Sequence, residues 1–266
     1  MAVSKTNFAL SEKDWERLHA LQFVDQPGCW NTCGGGFCCT MDNPRVQFKL
    51  MKPGAAGMVF FDDEYRFLEN RGVLQGGFAE KSRRWRFAFD NDLELSFVTS
   101  ICALKGKCTI PNYRPLLCKI YPFFPRIDLE TLEVTGHINA SVIDQLWSGM
   151  GVPDFCTLAR EKPDVVKAQM QPGVEILKEY PYVLFYIKAT EIFLDDVAEQ
   201  FKKLKLTYPQ LTNAQLFSRW EILYLAGRAF DQQGIREKLK DQYARLRKRF
   251  SDFDLRLFGK PPVLDN

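Results

Sequence analysis

Histidine is nearly absent from this chain, with only His19 and His137 in 266 residues, so sulfur rather than imidazole is its main offer to a ligand. Long apolar runs are missing too. No stretch approaches the ~20 residues of a membrane span, and the most apolar one, residues 180–194, is interrupted by Lys188 and Glu191. Residues 1–15 lack the basic start and apolar core of a secretory leader. A cytoplasmic protein with no membrane partner is the expectation. There is no G-x-G-x-x-G turn to cradle a dinucleotide, and no repeat or low-complexity tract. A net charge of +3 is too small to imply nucleic acid by itself.

What the chain has is cysteine, eight in all, four of them within eleven residues: Cys29, Cys33, Cys38 and Cys39. Cys102, Cys108, Cys118 and Cys156 follow. Free thiols are reactive, and a core that needs small apolar groups can use Ala or Val instead. Crowding of this kind therefore points to a bound group. In a reducing compartment clustered cysteines mean metal or redox chemistry more often than disulfides. The neighbours Cys38 and Cys39 would pair with each other only through a strained ring.

The spacing is C-x3-C-x4-C-C, then C-x5-C-x9-C, then Cys156. Zinc loops use gaps of two to four residues and iron–sulfur proteins use C-x4-C, so spacing leaves both open. The third cysteine of a radical S-adenosylmethionine motif would fall on Gly36, which argues against that class. Gly34-Gly35-Gly36 lets backbone N–H groups approach a ligand. Leu116, Leu117, Ile120, Phe123 and Phe124 would form a dry shell around Cys118. Lys105, Lys107, Arg114 and Lys119 would lower thiol pKa values and offset thiolate charge.

The cysteine order, together with Tyr113-Arg114-Pro115-Leu116-Leu117-Cys118-Lys119-Ile120-Tyr121-Pro122-Phe123, resembles the YkgJ-like cysteine-cluster family, described as zinc- or iron-chelating. The resemblance covers roughly residues 28–156. It implies that Cys29, Cys33, Cys38, Cys39, Cys102, Cys108, Cys118 and Cys156 hold metal, with Cys156 the least securely matched. Flagellin lysine N-methylases carry a similar cluster, so the resemblance also brings methyl transfer to a protein lysine into view. An iron–sulfur cluster, [4Fe-4S] in form, is the first expectation for the cofactor, and Zn2+ in a structural or adaptor protein that binds a protein or nucleic-acid partner is the alternative. Metal ions and a protein substrate or partner are the expected partners, and nucleic acid is not. No residue is assigned a catalytic role.

The expected fold class is α+β: a small, irregular cysteine-rich metal domain with short antiparallel strands over residues 1–162, then a helical bundle over residues 163–266. Ser11, Glu12 and Asp14 mark a helix start with Trp15, Leu18, His19 and Phe23 on one face. Strands are expected over residues 57–61, 85–89 and 93–97, with the turn at Asp90-Asn91-Asp92, and a hairpin across residues 127–138. Asp62-Asp63-Glu64 reads as a helix N-terminus in preference to a hard-cation site. Helices are expected over residues 213–230 and 235–250. His19 is expected to pack, and His137 has a weak claim as a ligand. Residues 81–86 and the last helix carry basic charge that reads as solvated surface.

Overall fold

The computed structural model describes residues 9–24, 57–74, 82–101, 110–140, 142–149, 151 and 156–257. Cys29, Cys33, Cys38, Cys39, Cys102 and Cys108, the Gly34–Gly36 run, Lys81, Lys105 and Lys107 lie outside them.

Helix α1 (Glu12–Ala20) starts where the sequence marks it. Ser11 accepts from the Asp14 N–H while Asp14 accepts in return from the Ser11 N–H, a reciprocal cap. Trp15, Leu18 and His19 form its buried stripe. Strand β1 (Gly57–Phe61) runs without a loop into α2 (Asp62–Asn70), which is closed by Gly72 at positive φ. Strands β2 (Arg83–Asp90) and β3 (Leu93–Ile101) make a hairpin. With β1 they form an antiparallel sheet in the order β1-β3-β2.

The segment containing Cys118 forms a short helix, α3 (Leu116–Ile120), which the sequence pattern does not announce. A second hairpin joins β4 (Phe123–Ile127) and β5 (Val134–Asn139). Asp128 caps its turn by accepting the N–H groups of Glu130 and Thr131. The remainder is helical: α4 (Val142–Gly149), α5 (Thr157–Glu161), α6 (Pro163–Leu177), α7 (Pro181–Thr207), α8 (Asn213–Leu225) and α9 (Gln232–Arg249). Helix α8 stops short of the expected residue 230, and Gly227 at positive φ follows it. No described helix is long and apolar enough to cross a membrane.

The architecture is mixed α and β, with short antiparallel strands and C-terminal helices. Its centre is α7, whose 27 residues span ~40 Å. Phe185 packs on Phe89 of β2, Tyr186 packs on Phe61 and Phe97, and Phe193 meets Phe87. The expected boundary at 162/163 falls between α5 and α6, and one buried core takes side chains from both sides of it. A second cluster gathers Leu146 and Trp147 of α4, Val197 and Phe201 of α7, and Leu216, Phe217 and Trp220 of α8.

Candidate functional site

Because α2 begins directly after β1, the three acidic residues of its first turn lie inside the protein instead of on its surface. Each carboxylate reaches a different segment. Asp62 bonds the Arg84 guanidinium of β2 and lies 3.2 Å from Arg66 Nε. Asp63 accepts the indole N–H of Trp15 at 2.9 Å, the backbone N–H groups of Ala9 and Leu10 at 3.1 and 3.3 Å, and an Arg66 N–H at 3.1 Å. Glu64 is fully buried and accepts the Leu116 N–H at 2.7 Å and the Phe61 N–H at 3.3 Å. It thereby anchors the N-terminus of the helix that carries Cys118.

His19 Nε2 lies 3.4 Å from Glu64 Oε1, and the imidazole stacks on Phe67 and sits edge-on to Tyr113. Burial sets the protonation of this pair. Removal from water disfavours the charged form of each group. The Glu64 carboxyl is pushed up to about 8. The His19 imidazole is pushed down to about 3, with the Lys119 charge a lesser cause in the same direction. Burial also raises Asp63, against the pull of its hydrogen bonds. At neutral pH the pair is a protonated acid beside a neutral imidazole.

Lys119 completes the cluster. Its ammonium donates to the carbonyl of His19, and to that of Leu21 at 3.3 Å, at the C-terminal end of α1. Carbonyls there lack intrahelical donors and carry the negative end of the helix dipole. A lysine set among Leu117, Cys118, Ile120 and Tyr121 is a readable signal of buried charge, since its neighbours all favour the interior.

The acidic turn is therefore a structural hub: its oxygens are engaged by N–H donors of the chain. Among the described residues no group of three or more His, Cys, Asp or Glu side chains is arranged to hold a metal ion. Of the expected thiol ligands, Cys118 is half-buried on α3 and Cys156 is half-buried at the residue preceding α5. Both pack against the main core. The other six lie outside the described residues.

The ends of the described segments can still be located. Gly57, the first described residue after the stretch bearing the first four cysteines, is the cross-strand partner of Ile101, which immediately precedes Cys102. Paired antiparallel residues have Cα atoms about 5 Å apart. Helix α3 packs on the same strand, β1.

The remaining candidates have ordinary surroundings. His137 on β5 is half-buried and edge-on to Phe123, and burial, with the Lys167 charge second, lowers its pKa. Tyr121 donates to Asp144 at 3.1 Å. On α9, Lys240 pairs with Asp90, Arg245 with Asp241, and Lys248 with Glu130. No protein-family model, curated protein or solved structure matches this chain.

Proposed function

We propose that this protein holds a metal centre in thiolates drawn from Cys29, Cys33, Cys38, Cys39, Cys102, Cys108, Cys118 and Cys156, with an iron–sulfur cluster of the [4Fe-4S] type as the leading form. The donor chemistry fits, because an all-thiol set is what such clusters and structural zinc both take. The observation that carries the reading is the Gly57–Ile101 pairing. It sets Gly57, eighteen positions after Cys39, opposite Ile101, which directly precedes Cys102, with Cα atoms about 5 Å apart. The cysteine-rich metal domain of the expected fold belongs to this same reading, as does a cytoplasmic setting in which the thiols stay reduced.

When bound, a cluster would supply electron transfer or an open iron for group transfer. The chain's own residues supply the scaffold: Glu64 fixes Leu116, Lys119 fixes Leu21, and Cys118 packs against the buried core to which Leu116, Ile120, Phe123 and Phe124 belong. Methyl transfer to a protein lysine rests on the family likeness alone and predicts measurable S-adenosylmethionine binding by calorimetry.

The deciding experiment is iron, zinc and acid-labile sulfide per chain on anaerobically purified protein, with its visible spectrum. Iron and sulfide in similar amounts support the cluster. Zinc without iron replaces it with a zinc-stabilised structural or adaptor protein that binds a protein or nucleic-acid partner. Protein that is stable, colourless and free of both metals refutes the proposal.

A further inference from the structure

Exposed charge of one sign and exposed apolar side chains meet in one arm of the molecule: the last turns of α7, residues 208–212 and α8. Between Gln200 and Phe230 the chain has a single carboxylate, Glu221, and it is fully buried. The basic residues of the same stretch, Lys202, Lys203, Lys205, Arg219 and Arg228, are all exposed. Among the described residues no ion pair involves Lys202, Lys203, Arg219 or Arg228. Helix α9 is richer in basic residues, yet there Lys240, Arg245, Arg247 and Lys248 pair with Asp90, Asp241, Asp254 and Glu130.

Among the described residues five large apolar side chains stand exposed, and three of them lie on this arm: Leu206 at 74%, Leu225 at 58% and Ile222 at 55%. Ile222 and Leu225 are three positions apart and share a face of α8 with Arg219. Leu216, Phe217 and Trp220 occupy the opposite face, packed in the second cluster. Arg219 lies over the Tyr208 ring, 4.1 Å from its centre, and donates to its hydroxyl. That contact ties the exposed face of α8 to the chain leaving α7 just after Leu206. Single exposed apolar groups are ordinary, and charged helix faces are usually only solvated. Here they coincide, with no exposed carboxylate between them. The combination suits a surface that is negative outside and apolar beneath. A second copy of the arm would instead bring like charges together.

We propose that this arm adsorbs to anionic lipid bilayers, with Lys202, Lys203, Arg219 and Arg228 against the headgroups and Leu206, Ile222 and Leu225 inserted among them. Adsorption of this kind needs no spanning helix, only surface charge and apolar side chains that can enter the interface. The expected lack of a membrane partner rests on spans and leaders, which do not bear on it.

The test is flotation of the full chain with vesicles of phosphatidylcholine alone or with roughly 30% phosphatidylserine. The protein should float with the anionic vesicles only. Salt raised from about 0.1 to 1 M, which shortens the Debye length from ~10 to ~3 Å, should strip it off. Each basic residue at such a surface contributes roughly fivefold in affinity, so Lys202→Gln with Lys203→Gln should weaken binding about 25-fold. Ile222→Gln with Leu225→Gln should weaken it at least about tenfold. These four positions are exposed, so urea unfolding should not change. Lys238→Gln with Arg245→Gln, on α9, should leave binding as it is. In Leu206→Trp, brominated lipid should quench the added indole.

No flotation with anionic vesicles, or equal flotation with phosphatidylcholine alone, overturns the proposal. So does binding that survives the arm substitutions, or that is lost with the α9 pair. An arm that binds an acidic amphipathic peptide while the vesicles float without protein replaces the lipid by a protein partner, and overturns it too.

Discussion

Glu64→Gln gives the sharpest test of the buried hub. In the folded state the proton of the Glu64–His19 pair sits on the carboxyl. In the unfolded chain, between their ordinary values of 4.5 and 6.5, it sits on the imidazole. Folded and unfolded states then bind one proton each, and the pair contributes no pH dependence across that interval. Above 6.5 the unfolded pair has released its proton, whereas folded Glu64 keeps one until about 8. Stability falls as pH rises wherever the folded state binds more protons. At about 1.36 kcal/mol per pH unit, the interval from 6.5 to 8 costs about 2 kcal/mol. Below 4.5 only His19 differs: its folded pKa is depressed, so its contribution is lost as pH falls toward 3. The amide introduced by Glu64→Gln mimics the protonated acid and cannot ionise. The variant should therefore lack the decline that this pair causes from pH 6.5 to 8, and its share of the pair should rise with pH from 4.5 to 6.5, where the His19 contribution is no longer offset by Glu64. Urea unfolding followed by tryptophan fluorescence, at steps of pH and fixed metal content, measures both curves. The range stays below the ionisation of Tyr186, which burial pushes up to about 12. Wild-type and Glu64→Gln curves that run parallel from pH 6.5 to 8 would refute the protonated-acid assignment.

Three further outcomes follow from the packing and the thiols. A Cβ added to Gly173 on α6 would lie 2.6 Å from the Phe23 ring, so Gly173→Ala should cost about 1–3 kcal/mol in urea unfolding, despite alanine's better helix propensity. Phe23→Leu in the same background should recover part of that loss. Asp63→Ala strands the Trp15 indole and the Ala9 and Leu10 amides, at about 1–3 kcal/mol for each buried donor left unmade; hydrogen exchange should rise selectively in α1, and uniform exchange across the protein would contradict this. Cys118→Ser should lower metal content and stability together, because each ligand contributes binding energy to folding. Wild-type metal content in that variant would remove Cys118 from the ligand set.

Several elements were legible in the amino-acid order because their causes are local. The Ser11–Asp14 cap, the Asp90-Asn91-Asp92 turn with its flanking strands, and the acidic start of α2 are each specified within a few residues, where a side chain satisfies its own backbone or a turn needs a particular conformation. Helix α3 and the extent of α7 were less legible. Five residues give no period, and the charges along α7 interrupt its apolar pattern although Glu191 and Asp196 are buried.

The sequence by itself determined the stock of eight thiols, the crowding of four of them into eleven residues, the near absence of imidazole and the succession of short strands and C-terminal helices. It also indicated that Asp62, Asp63 and Glu64 begin a helix. Only the tertiary structure decided where those carboxylates point, since Glu64 meets Leu116 52 positions away and Asp63 meets Trp15 48 positions away. A helix N-terminus welcomes acidic groups wherever it lies. Whether they face water or become a buried hub depends on which segments pack over that turn. Here β1 runs into α2 with no intervening loop, and α1 and α3 close over the junction.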